Sequence, residues 1–308
     1  MISVVVCTYK RVGFLVNCLN ALANQDFPKD GYEIVLINNN SPDNTEQVCQ
    51  DFIISNPSLH IQYCLETQQG LSYARNRGIV LSKGEIIAFL DDDAIARPDY
   101  LQKMNIFFED NPQAVACGGR IYPLFESKRP KWMSKYLLAL TSSIDMGDKV
   151  KRFSHKKYPI GANMVFRKFV FEKFGMFDVN LGRRGDNLEG AEEKAIFYKL
   201  YQNNLPAYYV PDAIVDHAVP DKRLTYDFFK RQAYGVGYSE RIRAKSISQK
   251  EYTKSVCKEF AKWGGSFVLF VYYTLTLRPK AGFRLLEYRW FISKKLFGNG
   301  KISLNILL

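Results

Sequence analysis

With 308 residues, 47% of them hydrophobic and 24% charged, the chain has the size of one large α/β domain or two smaller ones, and its composition excludes a disordered protein. Six scattered cysteines with no C-x-x-C spacing exclude a disulfide-stapled scaffold and read as buried thiols of a reducing cytoplasm. The formal net charge of +12 belongs to the tail: residues 1–218 hold 25 Lys and Arg against 25 Asp and Glu, residues 219–308 hold 18 against 6, a surplus that suits an anionic membrane, nucleic acid or acidic substrates.

The chain opens directly on a β-branched run, Ile2–Cys7, with no charged leader ahead of it. Leu15, Leu19 and Leu22 then recur at helical spacing, Glu33–Ile37 reads as a second buried strand, and Asp43-Asn44-Thr45-Glu46 as a capping box opening a helix. His60–Leu65 predicts a third strand, Ser72 the N-cap of a helix through Leu81, and Glu85–Leu90 a fourth strand that runs into three aspartates. This alternation predicts βαβ units and a mostly parallel, Rossmann-like sheet flanked by helices, whose ligands bind at the carboxyl ends of the strands.

Past Gly118-Gly119 the pattern loosens through a polar and basic stretch, Glu126–Lys157, with helical signals at Lys168–Phe174 and Glu192–Gln202 and a strand-like run at Ala213–Val215. From Leu224 the chain reads as amphipathic helix, aromatic residues alternating with Lys and Arg. Three regions follow: 1–119 as a nucleotide-binding half, 120–223 as an acceptor-binding and catalytic half, and 224–308 as a basic helical extension. The longest apolar stretch, Trp263–Leu277, is 15 residues long, short of the roughly 20 needed to span a bilayer. The tail is therefore expected to lie on an anionic membrane surface, on the inner face of the cell membrane, its aromatic residues at the headgroups.

Asp91-Asp92-Asp93 is the sharpest chemical signal. Three adjacent carboxylates repel one another unless a cation or donors compensate them, and such oxygens suit Mg²⁺ or Mn²⁺ bridging to a diphosphate. A solvated acidic turn is the bland alternative. Val215-Asp216-His217 closes a later apolar run and offers an imidazole to the same ion, although a lone histidine is more often structural. Glu192 and Glu193 open a helix, where acidic residues are favoured by the dipole in any case; a catalytic reading makes one of them a general base. If a metal absorbs the charge of a diphosphate leaving group, one such base suffices, whereas a glycosidase needs two paired carboxylates.

These segments resemble the inverting family 2 glycosyltransferases of GT-A fold, in order from Val4 to about Ser239. Val4–Arg11 is similar to the family's opening strand and nucleotide-contacting turn, which implies donor contacts for Thr8, Tyr9 and Arg11. Gly70-Leu71-Ser72-Tyr73-Ala74-Arg75-Asn76-Arg77-Gly78 matches the G-x-x-x-A-R-N-x-G signature, implying that Arg75 serves the diphosphate end of the donor. Leu90–Asp93 resembles the D-x-D segment, with Asp93 as principal metal ligand and Asp91 and Asp92 near ribose and metal. Gly161–Arg167 and Phe174–Asp178 look like the acceptor side, and Glu192-Glu193 stands where the family has Glu-Asp, which favours Glu193 as the base.

Two departures qualify the likeness. Asn38 stands where the family commonly has the aspartate that accepts the uracil N–H, so a UDP-sugar is favoured but other bases are less excluded. Gln232-Ala233-Tyr234-Gly235-Val236 lacks the Q-x-x-R-W of processive synthases, which implies addition of a single sugar, to a glycan or lipid-linked acceptor. A nicotinamide dehydrogenase lacks support because the first turn has no G-x-G-x-x-G. A sugar-nucleotide pyrophosphorylase would need a glycine-rich loop there, and a nucleic-acid binder leaves the acidic triplet unexplained; no nucleic-acid partner is expected.

Overall fold

The computed structural model describes residues 1–154, 157–185 and 187–298. Contacts group them into two compact units, the first of Met1–Leu124, Ser142–Val179 and Glu192–Ala218, the second of Phe125–Thr141, Asn180–Ala191 and Val219–Leu308.

The first unit is built on a sheet. β1 (Ile2–Thr8) pairs in parallel with β2 (Tyr32–Asn38) and with β4 (Ile86–Asp91), and β2 pairs in parallel with β3 (His60–Leu65). The connecting helices are α1 (Val12–Ala23), α2 (Thr45–Ser55) and α3 (Leu71–Leu81). Strand residues alternate between two cores: Val4, Val6, Ile34, Leu36, Ala88 and Leu90 on one face, Val5, Val35, Ile37, Ile87 and Phe89 on the other. That is why these strands read as continuous apolar runs: a parallel sheet covered on both faces has no polar side.

Beyond β4 the sheet turns antiparallel. The nine strands run β3-β2-β1-β4-β8-β6-β9-β5, with β5 (Ala94–Ala96), β6 (Ala116–Phe125), β8 (Met164–Arg167) and β9 (Ala207–Val219), while β7 (Lys151–Arg152) pairs with β9. Helices α4 (Tyr100–Asp110), α5 (Phe169–Phe174) and α6 (Glu192–Gln202) complete the unit. The mostly parallel character thus belongs to the first half of the chain.

Local details differ from the sequence reading. α3 begins at Leu71, and its N-cap is Gly70, two residues before the expected Ser72, with a φ of 145° that a side chain would disfavour. At α2 the side chain of Asp43 accepts a bond from the backbone of Thr45 at 3.3 Å, one residue short of the Glu46 N–H that the expected capping box uses. β6 runs straight through Gly118-Gly119, because a Cβ at Gly119 would stand 1.7 Å from the Ala213 carbonyl oxygen: the glycines admit a close neighbour and do not loosen the strand. Of the six free cysteines, Cys18, Cys49 and Cys117 are buried, Cys7 and Cys64 are half-buried and Cys257 is exposed, so the expectation of uniformly buried thiols is corrected.

The second unit is helical, as expected from Leu224 onward: α7 (Tyr226–Ile247), α8 (Gln249–Leu275) and α9 (Pro279–Phe297) pack with a 3₁₀ segment, Lys135–Thr141. Met133, Leu137, Leu140, Phe229, Leu285 and Phe291 are at the centre of its core. Thr225 caps α7 by accepting from Phe228 N–H at 3.3 Å, and Ser248 caps α8 by accepting from Glu251 N–H at 3.1 Å. Among the described residues no helix is long and apolar enough to cross a membrane.

Candidate active site

The strand ends of the first unit bring the candidate residues together. Parallel register sets Thr8 beside Asn38 and Cys7 beside Asp91, so the carboxyl ends of β1, β2 and β4 form one rim. After Asp91 the chain turns through Asp92 and Asp93 into β5, which pairs with β9 so that Ala94 faces His217. Ala218 N–H donates to the Asp93 carbonyl at 2.9 Å and pins the turn. His217 Nε2 lies 3.1 Å from Asp93 Oδ1, both side chains 1% exposed.

Asp91, Asp93 and His217 each offer a ligand atom, and these atoms lie within 4.8 Å of one another. Two carboxylates and an imidazole make a hard oxygen set with one borderline nitrogen, which fits Mg²⁺ or Mn²⁺. The buried His217 Nδ1 has no hydrogen-bond partner among the described residues.

Asp92 has a different setting. Thr8 Oγ1 donates to its Oδ2 at 2.8 Å, and Arg11 Nη1 donates to its Oδ1 at 3.0 Å and to Asp93 Oδ2 at 2.7 Å. Burial raises the Asp92 carboxyl to about 6, with Asp93 adding to the rise and Arg11 and Thr8 opposing it. Burial works against the charge of Arg11, but Asp92 and Asp93 outweigh it and hold the guanidinium firmly protonated.

Arg75 ties this acidic turn to the second carboxylate pair. Its side chain is 2% exposed; Nη1 donates to Glu192 Oε1 at 2.8 Å, and Nη2 lies 3.3 Å from Asp91 Oδ1 and 3.4 Å from Glu193 Oε1. The resemblance pointed this arginine at a diphosphate, whereas here the guanidinium is turned inward onto three carboxylates. Five carboxylates thus share two guanidiniums, which leaves the centre short of positive charge.

Glu192 and Glu193 are not equivalent. Glu192 is packed on Arg75 with its side chain 4% exposed, while Glu193 keeps 19% exposure and accepts from Gly161 N–H at 2.7 Å. Burial, then the neighbouring Glu192, raise the Glu193 carboxyl to about 7, against the pull of Arg75 and the Gly161 N–H. An accessible carboxylate with a proton affinity near neutrality has the properties of a general base.

At the rim, Asn38 is 1% exposed; its Oδ1 accepts from Ser41 N–H at 2.9 Å and its Nδ2 donates to Tyr63 Oη at 3.1 Å. Tyr9 is half-buried, with Lys10 Nζ 5.1 Å from its ring centroid. Lys10 and Asn40 both adopt positive φ, 56° and 58°, where the chain leaves β1 and β2.

The structure therefore gathers Thr8, Arg11, Asp91, Asp92, Asp93 and His217 in one network and Arg75, Glu192 and Glu193 in a second joined to it at Asp91, while Asn38 and Tyr9 stand at the strand-end rim. Two contributors escaped the sequence reading. Asn39 Oδ1 accepts from Gly70 N–H at 2.8 Å, tying the β2 loop to the start of α3. Gly161 leaves no room for a side chain: a Cβ there would lie 1.9 Å from Arg75 Nη2 and 2.7 Å from Glu193 Oε1. Its place in the quoted Gly161–Arg167 segment was the only signal. Gly161→Ala is expected to lower turnover by roughly 10²-fold through misplacement of Arg75 and Glu193, with the melting temperature little changed; turnover within threefold of wild type would show that the contact is slack.

Residues 3–175 match the family model described as glycosyl transferase family 2. The chain is 29% identical over 245 residues to the glucosyl-dolichyl phosphate glucuronosyltransferase of Haloferax volcanii, a match covering 78% of this chain and 76% of that protein. Among solved structures it is similar to the mannosyltransferase PcManGT from Pyrobaculum calidifontis in complex with GDP-Man and Mn²⁺, with a TM-score of 0.66 at 20% identity, covering 96% of this chain and 86% of that one. It is also similar to S. aureus TarS 1-349 in complex with UDP-GlcNAc, with a TM-score of 0.56 at 17% identity, covering 95% and 90%. At these identities the two structures bear on the fold.

Proposed function

The chain belongs to glycosyl transferase family 2, and from that premise we propose that it moves a single sugar, with inversion, from a nucleotide-diphosphate sugar to an acceptor hydroxyl in polysaccharide or glycolipid assembly. Its GT-A fold and its nucleotide-sugar chemistry go with the family. The observation that carries the reading is the join at Arg75: one buried guanidinium connects Asp91, in the candidate metal set, with Glu193, the less buried member of the glutamate pair.

Asp93, Asp91 and His217 would hold Mg²⁺ or Mn²⁺, which when bound supplies positive charge for the departing diphosphate. Thr8 and Arg11 fix Asp92 in the turn, and Tyr9 and Arg11 follow β1 at the carboxyl ends of the strands, where the nucleotide would lie. Asn38 is assigned to the base: a UDP-sugar stays favoured through the resemblance, and the amide standing where an aspartate is usual admits other bases more readily. Glu193 takes the proton of the acceptor hydroxyl as that oxygen attacks the anomeric carbon, and Arg75 with Glu192 holds it in place. By this division residues 1–119 bind the donor, 120–223 carry the acceptor and the base, and 224–308 form the basic extension, placing the enzyme at the inner face of the cell membrane. A glycan or lipid-linked acceptor fits; the Haloferax relative's name includes a dolichyl phosphate-linked sugar.

The test is a screen of UDP-, GDP- and dTDP-sugars for nucleoside-diphosphate release with Mg²⁺ or Mn²⁺, followed by NMR of the product's anomeric configuration. Release of one sugar equivalent with inverted configuration is expected. Pyrophosphate exchange, a retained configuration or long homopolymer products would each displace the reading.

A further inference from the structure

Helix α8 is inverted with respect to water. Its buried positions include Glu251, Ser255, Glu259 and Ser266, while Phe260, Phe267, Val268, Val271 and Leu275 are 62%, 59%, 66%, 42% and 79% exposed. Those five recur at helical spacing and form one stripe, where a helix packed on a soluble core carries its charges. The inward polar side is built to stay: Arg289 Nη1 donates to Glu259 Oε1 at 3.0 Å, and Ser255 Oγ donates to Glu240 Oε1 at 2.7 Å. On α9, Phe283, Trp290 and Phe297 follow at seven-residue intervals, also exposed, and Phe297 stacks on Phe260 at 5.5 Å, so the apolar surface continues from one helix to the next.

Positive charge borders this surface. A groove of about 720 Å³ between α8 and the preceding Arg129–Tyr136 segment is lined by Arg129, Lys131, Lys135 and Arg278, with Val268 and Tyr272 along its α8 wall. The acidic residues of the helices do not offset them: Asp227, Glu240, Glu251, Glu259 and Glu287 are each ion-paired to a Lys or Arg of the same helical unit. A second copy of this chain would bring the same surplus of cations and be repelled; a sheet of phosphate headgroups over acyl chains matches both features.

We propose that the outward stripe of α8 beds at the headgroup–acyl boundary of an anionic phospholipid bilayer, with lipid phosphates in the Arg129–Lys135 groove. The helix lies along the surface, as no described helix can cross it. Docking is separable from sugar transfer and is read without donor.

The experiment is co-sedimentation of the full chain with vesicles of phosphatidylcholine alone or mixed with phosphatidylglycerol, at low and high salt. Binding to the anionic vesicles at low salt is expected, with at least about tenfold less on phosphatidylcholine. F267E/V271E and R129E/K135E, all at surface-lining positions, are each expected to weaken binding about tenfold or more, with unchanged circular dichroism and unchanged nucleoside-diphosphate release on a water-soluble acceptor. No retention on anionic vesicles, retention unaffected by either double variant, or a dimer in solution that F267E/V271E dissociates would overturn the proposal. Vesicle binding in a protein that turns over no donor would support docking while sinking the transfer reading.

Discussion

Asp93→Ala is expected to reduce nucleoside-diphosphate release by on the order of 10³-fold or more, equivalent to about 4 kcal/mol of transition-state stabilisation. The size follows from its position. Asp93 faces both His217, at 3.1 Å, and Arg11, at 2.7 Å. Removing it takes one ligand from the candidate set and leaves Arg11 with Asp92 alone. Asp93→Asn keeps the shape and removes the charge, so equal loss in the two variants assigns the effect to charge and not to packing. Chelation of divalent ions with EDTA is expected to silence the wild type, with recovery on adding Mn²⁺ or Mg²⁺. Steady-state release and titration calorimetry of the donor check both; full turnover in Asp93→Asn, or in the presence of EDTA, removes the metal role.

The second large effect is that of Glu193→Gln, about 10²–10⁴-fold in turnover with donor binding kept, as removal of a general base requires. The pH profile gives an independent reading. With the carboxyl raised to about 7 by burial and by Glu192, the base is mostly protonated below that pH. Activity should therefore climb about tenfold per unit on the acid side and level off above roughly 7. Glu192→Gln removes a negative neighbour, so the Glu193 carboxyl falls and the limb moves to lower pH. A limb that stays in place in Glu192→Gln, or a Glu193→Gln variant that keeps both turnover and limb, places the base elsewhere.

Much of the first half of the chain was legible. Ile2–Thr8, Tyr32–Asn38 and Ile86–Asp91 appear within two residues of their apolar runs, because a strand buried on both faces writes itself as consecutive apolar residues, and the half-exposed edge strand His60–Leu65 appears where it was expected. Glu192–Gln202 also falls where its periodicity put it. α4 escaped notice although Tyr100, Leu101, Met104, Phe107 and Phe108 recur at helical spacing, overshadowed by the acidic triplet before it. β6 was lost because glycines read as punctuation when their cause, the Ala213 carbonyl against Gly119, lies far along the chain.

The site divides the same way. Residue types and strand ends pointed to the aspartates, but the inward turn of Arg75 onto Glu192 and the fit of Gly161 between Arg75 and Glu193 are tertiary facts with no local trace. The exposed aromatic residues of α8 were expected at the surface, whereas the burial of Glu251 and Glu259 on its inward side was equally hidden. An amphipathic pattern shows that a helix has two faces and is silent on which of them meets the protein.

The pairing of β5 with β9 also sets a timetable. Asp93 and His217 meet only through a ladder whose second strand is made long after the first, so a nascent chain can assemble its parallel strands while the acidic turn still lacks its histidine. At ordinary elongation speeds that interval is roughly 6–25 s. During it the β5 edge is unpaired, a hazard for aggregation that closes when β9 arrives. The Asp93–His217 contact is thus acquired only once β9 has been made, and a destabilised β9 would delay it more than it delays compaction of the parallel strands.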